Sequence, residues 1–375
     1  MKNILNVIRI IKNQLSKIKL FDPHTDKFEK IAIEQVLKSN FWASGAGNGN
    51  VKKFEEKFLN YINSKNCVAV NSGTAALNLA LSMYNIKNKE VILPSLSFVS
   101  TAHAIIYNGG IPVFVDVDPK TLCIDPKEIE KAITKNTRVI LPVHFGGMPC
   151  DLQKISKISK KFGLSIVEDA AHAAGAKYDG EKIGNHGHCV CFSFHPVKNL
   201  AMPSGGAITI NLKNNKQFSK ILKSKRWVGI TGRKGSNYDV SNLGWNYYMN
   251  EFSAAIGIEQ LKKLDKINSQ RKKIGKRYSK ELEIGEKMPF DENCSYHFYW
   301  IQVKNRKNFM KKMSENKIET GIHYNPIHKM SLYNSKTILP ITEKAGNRIV
   351  SLPTHPNLTD NDLNRIIKIA NKFAK

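Results

Sequence analysis

From residue 21 to residue 250 short apolar runs alternate with helix-like stretches, and no other feature of the sequence limits the possible folds so sharply. The strand candidates are residues 67–70, 91–93, 111–115, 138–143, 164–167 and 189–194, followed by 207–210. Helical patterns lie between most of them, among them 75–83, 126–133 and 152–162. Strands this uniformly apolar are buried on both faces. The alternation therefore predicts an α/β fold on a large, mainly parallel sheet with helices on either side. Beyond Gly257 a Lys-rich helix through Leu261, Leu264 and Ile267 leads into a more polar region, which reads as a smaller α+β domain. Its last helix is expected to start at Thr359, with Asp362 completing a capping box and Leu363, Ile366, Ile367 and Ala370 as its apolar face. The expected organisation is an N-terminal extension over 1–20, a large domain over 21–257 and a small C-terminal domain over 258–375.

In the extension, Ile4, Ile8, Ile11, Leu15 and Ile18 recur at helical spacing among Lys2, Arg9, Lys12, Lys17 and Lys19. This predicts a short basic amphipathic helix. It either lies on an anionic membrane surface or, the favoured reading, packs on its own domain or a partner. Arg9 and Lys12 interrupt the one apolar segment that resembles a secretory signal, and no apolar run reaches the roughly 18 residues of a membrane span. Six cysteines in 375 residues make no disulfide scaffold, so a cytoplasmic setting is expected. A net charge of +27 favours anionic partners: nucleic acid, an acidic membrane face or a phosphorylated substrate. The lysines are scattered in pairs such as Lys52-Lys53 and Lys262-Lys263, as on an ordinary soluble surface. No helix-turn-helix, zinc finger or aromatic-laced basic patch accompanies them, so a nucleic-acid reader is not expected.

Three stretches carry candidate chemistry. Residues 71–77 (NSGTAAL) follow a strand and open an apolar helix. Ser72 can cap that helix, Gly73 admits a close ligand, and the free N–H groups attract an anion; an ordinary capped helix fits equally. Glycines 45, 47 and 49 miss the dinucleotide spacing and no Walker loop is present, so a single phosphate fits better than a nucleoside triphosphate. Residues 166–172 (IVEDAAH) deliver two carboxylates and a histidine at the carboxyl end of a strand, where open α/β sheets bind ligands, although Asp169 alone also reads as a cap. In residues 192–199 (FSFHPVKN), Lys198 leaves an apolar strand; it is either a desolvated amine nucleophile or a snorkelling surface lysine. His186, His188, Cys189 and Cys191 crowd together nearby. The two cysteines alternate along a strand without a C-x-x-C turn, so a buried strand explains them better than a metal site. Together, an anion cradle, a strand-end Asp and a buried Lys are what pyridoxal 5′-phosphate (PLP) requires.

These residues, with 94–101 (PSLSFVST), 168–176 (EDAAHAAGA), 193–199 (SFHPVKN) and 244–257 (GWNYYMNEFSAAIG), resemble the DegT/DnrJ/EryC1/StrS family of PLP-dependent aminotransferases acting on nucleotide-linked keto sugars. The motifs run in order from about residue 20 to Ser351-Leu352-Pro353. The resemblance implies an aspartate-aminotransferase-like, fold type I enzyme that works as a homodimer, takes its nitrogen from glutamate by ping-pong kinetics and serves surface-glycan or amino-sugar biosynthesis. It implies that Lys198 joins the cofactor and moves protons, that Asp169 partners the ring nitrogen, and that Gly73, Thr74 and Ser193 hold the phosphate. Phe98 would pack on the ring, His172 would lie beside it, and Asn246 would reach the neighbouring subunit's phosphate. His323 and His328 match a segment lining the sugar site, or form a structural turn around Pro326.

Two positions depart from the family pattern. Tyr248 stands where many relatives carry Arg, and Ser204 where many carry Glu, which bears on substrate and donor contacts rather than on the cofactor. The alternatives are a PLP-dependent sugar dehydratase on the same scaffold, whose family branch replaces the lysine by histidine, and a basic non-catalytic protein binding nucleic acid or membrane.

Overall fold

The computed structural model describes residues 16–374. Seven strands form its main sheet: β1 Asn66–Val70, β2 Glu90–Pro94, β3 Ile111–Val115, β4 Thr137–Ile140, β5 Ser165–Asp169, β6 Cys189–Ser193 and β7 Gly206–Ile210. Their spatial order is β1-β7-β6-β5-β4-β2-β3. Only β7 runs against its neighbours β1 and β6; the other pairings are parallel. Successive residues point to opposite faces of a strand. Ala69, Ile92, Ile140, Ile166, Val190 and Phe192 enter one apolar core, and Val68, Val91, Val139, Val167, Cys189 and Cys191 enter the other. Both faces are covered, which is why the strands read as unbroken apolar runs.

The helices follow their local signals. Leu152–Phe162 starts where the Asp151 carboxylate accepts the Lys154 N–H at 3.1 Å and stops at Gly163, whose φ of 65° suits glycine. It buries Leu152, Ile155 and Ile158, each contributing about 1.5–3 kcal/mol. In the C-terminal region β8 Tyr299–Gln302 pairs antiparallel with β9 Ile349–Leu352, flanked by helices Arg306–Glu315, Pro340–Arg348 and Asp360–Phe373. The last of these has the predicted capping box: Asp362 N–H donates to Thr359 Oγ1 (3.2 Å), and Thr359 N–H to the Asp362 carboxylate (3.1 Å). Asp116, just beyond β3, accepts the N–H groups of Ile341 (2.9 Å) and Thr342 (2.7 Å), tying helix Pro340–Arg348 to the sheet.

Two expectations change. Residues 1–15 of the predicted amphipathic helix lie outside the described residues, and its last residues are extended. Ile18 is buried in a parallel bridge to Ile318, donating to Lys317 O and accepting from Glu319 N, both at 2.9 Å. Backbone pairing across the C-terminal region therefore overrides the helical spacing there. The helix expected after Gly257 begins earlier: a single helix runs Glu251–Glu281, capped by Asn250, whose side chain accepts Ser253 N–H at 2.8 Å. The composition shifts at 257 but the backbone does not break. We propose that the division into large and small domains lies within this shared helix.

Candidate active site

A cavity of about 340 Å³ opens at the carboxyl ends of β1, β2, β5 and β6, where parallel strands hand the chain to loops and helices. On one side helix Gly73–Leu81 begins, and the Ser72 hydroxyl caps it by accepting Ala75 N–H at 3.1 Å. The first-turn N–H groups have no acceptor inside the helix and carry its positive dipole end. A second helix, Ser100–Tyr107, starts beside it, with Thr74 Oγ1 2.7 Å from Ser100 Oγ, so two N-termini converge on one point. Ser193, at the end of β6, closes the cradle. A Cβ on Gly73 would stand 2.6 Å from Ser193 Cβ and 3.2 Å from Ser193 Cα, so only glycine permits this approach. Replacing Gly73 by Ala is expected to weaken PLP binding by roughly tenfold or more, because overpacking of about 1–3 kcal/mol forces strand and helix apart. An absorbance titration measures this; unchanged affinity would show that the cradle does not hold the phosphate.

Alternation along β5 sends its two acids to opposite faces. Asp169 faces the cavity, and its carboxylate accepts Thr101 Oγ1–H at 2.8 Å and Ala171 N–H at 3.1 Å. Ser97 Oγ lies 2.8 Å from Thr101 Oγ1 and fixes that hydroxyl in turn. Burial pushes the Asp169 carboxyl above its ordinary range, against the pull of these two donors and of Lys198. Glu168 points the other way into a dry pair with His144 Nε2 at 2.8 Å. It belongs to the scaffold.

Lys198 follows β6 and the buried Phe194 in a tight turn, with Lys198 N–H donating to His195 O at 2.8 Å. Its neighbour Asn199 is buried and donates to Asn268 Oδ1 and Ser295 O, both at 2.8 Å, which anchors the turn to the long helix. The Lys198 side chain forms part of the cavity wall with Asp169. Desolvation lowers its pKa from 10.5 to about 8, although the Asp169 charge raises it. Such desolvation sets Lys198 apart from the solvated surface lysines and is what an amine nucleophile would require.

Aromatic groups build the remaining wall. Phe98 is half-exposed at the cavity, its ring 5.9 Å from that of Tyr324. His172 Nδ1 accepts Gly146 N–H at 3.4 Å, and its Nε2 lies 3.1 Å from Tyr324 Oη. His323 Nδ1 is 2.9 Å from Ser351 Oγ, and its ring stacks on Phe298 at 4.8 Å. Burial, aided by Lys198, lowers the His323 pKa to about 4 and that of His172 well below 6.5, so both are neutral at physiological pH. Sequence reasoning missed Ser100 and Thr101, though both stand inside the 94–101 motif that helped carry the resemblance, and Tyr324, which directly follows the candidate His323.

The predicted residues Gly73, Thr74, Phe98, Asp169, His172, Ser193, Lys198 and His323 share this cavity. His328 does not, and its assignment to the sugar site is corrected. Its side chain is fully buried between Ser95 Oγ (2.6 Å) and Glu343 Oε1 (3.2 Å), so both ring nitrogens serve to hold the turn around Pro326. Asn246 is exposed outside the cavity wall, its carbonyl accepting from the Asn71 side chain at 3.3 Å. Ser204 reaches the cavity and its hydroxyl donates to Asn71 O, whereas Tyr248 lines a separate recess with Phe41, Trp227 and Arg233. The His/Cys group near β6 is dispersed: His186 Nε2 lies 3.1 Å from Tyr178 O, His188 Nδ1 accepts Ile166 N–H at 2.8 Å, and both cysteines sit in the core.

A glycine cradle at two helix N-termini, a desolvated amine and a buried acid with an open lone pair fit the phosphate, aldehyde and ring nitrogen of PLP respectively. Comparison with known proteins agrees. The model of the DegT/DnrJ/EryC1/StrS aminotransferase family matches residues 23–371. An uncharacterized protein of Methanocaldococcus jannaschii, MJ1066, is 34% identical over 376 residues, spanning 94% of this chain and 97% of its own. Among solved structures, Helicobacter pylori PseC, an aminotransferase of pseudoaminic acid biosynthesis, superimposes with a TM-score of 0.89 at 26% identity, covering 96% of this chain and 99% of its own. Streptococcus pneumoniae Spr1654 in its PLP form gives 0.89 at 25% identity, covering 95% and 98%.

Proposed function

From the premise that this chain belongs to the DegT/DnrJ/EryC1/StrS aminotransferase family and is a PLP-dependent sugar aminotransferase of fold type I, we propose that it transfers nitrogen from glutamate to a nucleotide-linked keto sugar. The product would be an amino sugar destined for a surface glycan, made in the cytoplasm. Among the described residues no helix is long and apolar enough to cross a membrane. The observation that carries this reading is the convergence of Lys198, Asp169 and the Gly73–Ser193 cradle on one cavity.

When bound, PLP supplies an aldehyde carbon that takes up an amine and a ring that stores an electron pair. The protein supplies everything else. Thr101 and Ala171 orient the Asp169 carboxylate, leaving it a lone pair for a ring N–H; a cation there would offset the cost of burying the acid. Lys198, with a pKa of about 8, holds a neutral amine in about one molecule in ten at pH 7 and can lift or return a proton inside the cavity. Phe98, Val143 and Ala171 supply apolar walls that keep water from the reacting atoms. We further propose a homodimer in which the exposed Asn246 reaches the partner's phosphate cradle.

A panel of nucleoside-diphosphate keto sugars supplied with glutamate tests the reading. Formation of an aminated sugar by mass spectrometry together with stoichiometric 2-oxoglutarate is expected; consumption of sugar without 2-oxoglutarate would point to dehydration instead. The lowered Lys198 pKa predicts a pH dependence. Capture of PLP by the apoenzyme requires the free amine, so its rate should rise with pH and be half-maximal near 8. A rate that climbs only near 10.5 would mean that the amine is fully solvated.

A further inference from the structure

Helices Arg306–Glu315 and Asp360–Phe373 lie side by side in the C-terminal region. Arg365 of the second donates to Lys317 O, just past the end of the first, at 3.2 Å. At the other end of the pair the Lys312 and Lys372 ammonium groups lie 5.9 Å and 5.2 Å from the Phe373 ring centroid. Phe309, Met313, Leu363 and Ile366 are buried beneath them. What the helices turn to solvent is cationic. Lys311, Lys317, Lys368 and Lys372 are exposed, and among the described residues none of the four pairs with a carboxylate; the nearby Glu315 and Glu319 are taken by Lys312 and Lys17. By contrast, on helix Glu251–Glu281 Lys262 and Lys263 are paired with Glu259 and Glu29.

The N-terminal extension leaves the fold beside this face, since Arg365 also donates to Ser16 O at 2.8 Å. Residues 16–20 pack on the C-terminal region; residues 1–15 add Lys2, Arg9 and Lys12 among Ile4, Ile8, Ile11 and Leu15. Extension and face carry like charge, so neither serves as the other's partner, whereas a single anionic surface satisfies both. We propose that the two together dock the enzyme on an anionic lipid bilayer, the lysines facing the headgroups and the apolar residues of the extension entering the interface. Residues 1–20 hold no carboxylate to oppose such a surface and no aromatic ring to stack on a base, which favours lipid over nucleic acid. A basic patch and an apolar insert are the two signals that stable peripheral binding needs, each marginal alone. The proposal is independent of which sugar is aminated.

Flotation of the full-length, PLP-loaded protein with lipid vesicles tests it. The protein should rise with vesicles of equal parts phosphatidylglycerol and phosphatidylcholine, stay behind with phosphatidylcholine alone, and be released by about 0.5 M salt. Each lysine near the surface is worth about fivefold, so K311Q/K317Q/K368Q should lower partitioning about a hundredfold. K154Q/K157Q/K160Q removes equal charge from helix Leu152–Phe162 and should lower it by no more than a few-fold. Deleting residues 2–15 should lower partitioning at least tenfold with the melting temperature and PLP absorbance unchanged. Equal binding to neutral and anionic vesicles, no binding to either, equal losses in the two triple variants, or full binding after the deletion overturns the proposal. Tighter binding to a single-stranded oligonucleotide than to the anionic vesicles also overturns it, in favour of nucleic acid.

Discussion

Lys198→Ala is expected to reduce turnover by about ten-thousand-fold while leaving a folded protein that still binds PLP through its phosphate. In the proposed mechanism this one side chain both joins the cofactor and carries protons, and general acid–base catalysis alone is worth about 10²–10⁴. The fold should not suffer. Lys198 makes no ion pair with its carboxylate neighbour, and the turn that carries it is held by backbone and by Asn199 rather than by the amine. Removing a group whose charged form is disfavoured by burial costs the folded state little. Circular dichroism and thermal melting should therefore match the wild type, and added small amines should restore part of the activity. A loss of less than tenfold would place the reacting amine elsewhere.

Asp169→Asn is expected to cost about 10²–10³ in turnover, the usual consequence of removing one preorganised group aimed at developing charge. Asparagine can still accept from Thr101 or Ala171 through its single oxygen, so the local structure should persist. Its NH₂ group, however, would meet the ring nitrogen with a donor where an acceptor is needed. Because burial already disfavours the Asp169 carboxylate, the variant should melt no lower than the wild type in the absence of cofactor. This combination separates an electronic role from a structural one: a purely structural acid would lose stability and activity together. Pyridoxyl labelling of Lys198 should survive in this variant, since the reacting amine is untouched.

Much of this site is written into short stretches of sequence, for a physical reason. Caps, glycine approaches and strand-end acids act over a few residues, so Ser72, Gly73, Asp169 and the Thr359–Asp362 box follow from local chemistry. Lys198 stood out because a charged side chain interrupts an apolar strand and its loop. What escaped depends on chain segments that meet only in three dimensions. A column of stacked rings draws Phe21, His172, His297 and Tyr324 from four separate regions, and no spacing rule relates them. His328 and His323 look alike along the chain, five residues apart; packing against Ser95 and Glu343 buries the first, while the second faces the cavity. The change in composition after Gly257 was real, but composition does not break a helix, and Glu251–Glu281 passes through it. Residues 16–20 illustrate the converse, since tertiary pairing to Ile318 outweighs a helical spacing.

The most direct test of the account is chemical trapping. Purified protein incubated with PLP, reduced with borohydride and digested should yield one pyridoxyl-modified peptide, with the label on Lys198 and the yellow absorbance of the protein lost on reduction. A label on any other lysine, or no label and no absorbance after incubation with PLP, would contradict it.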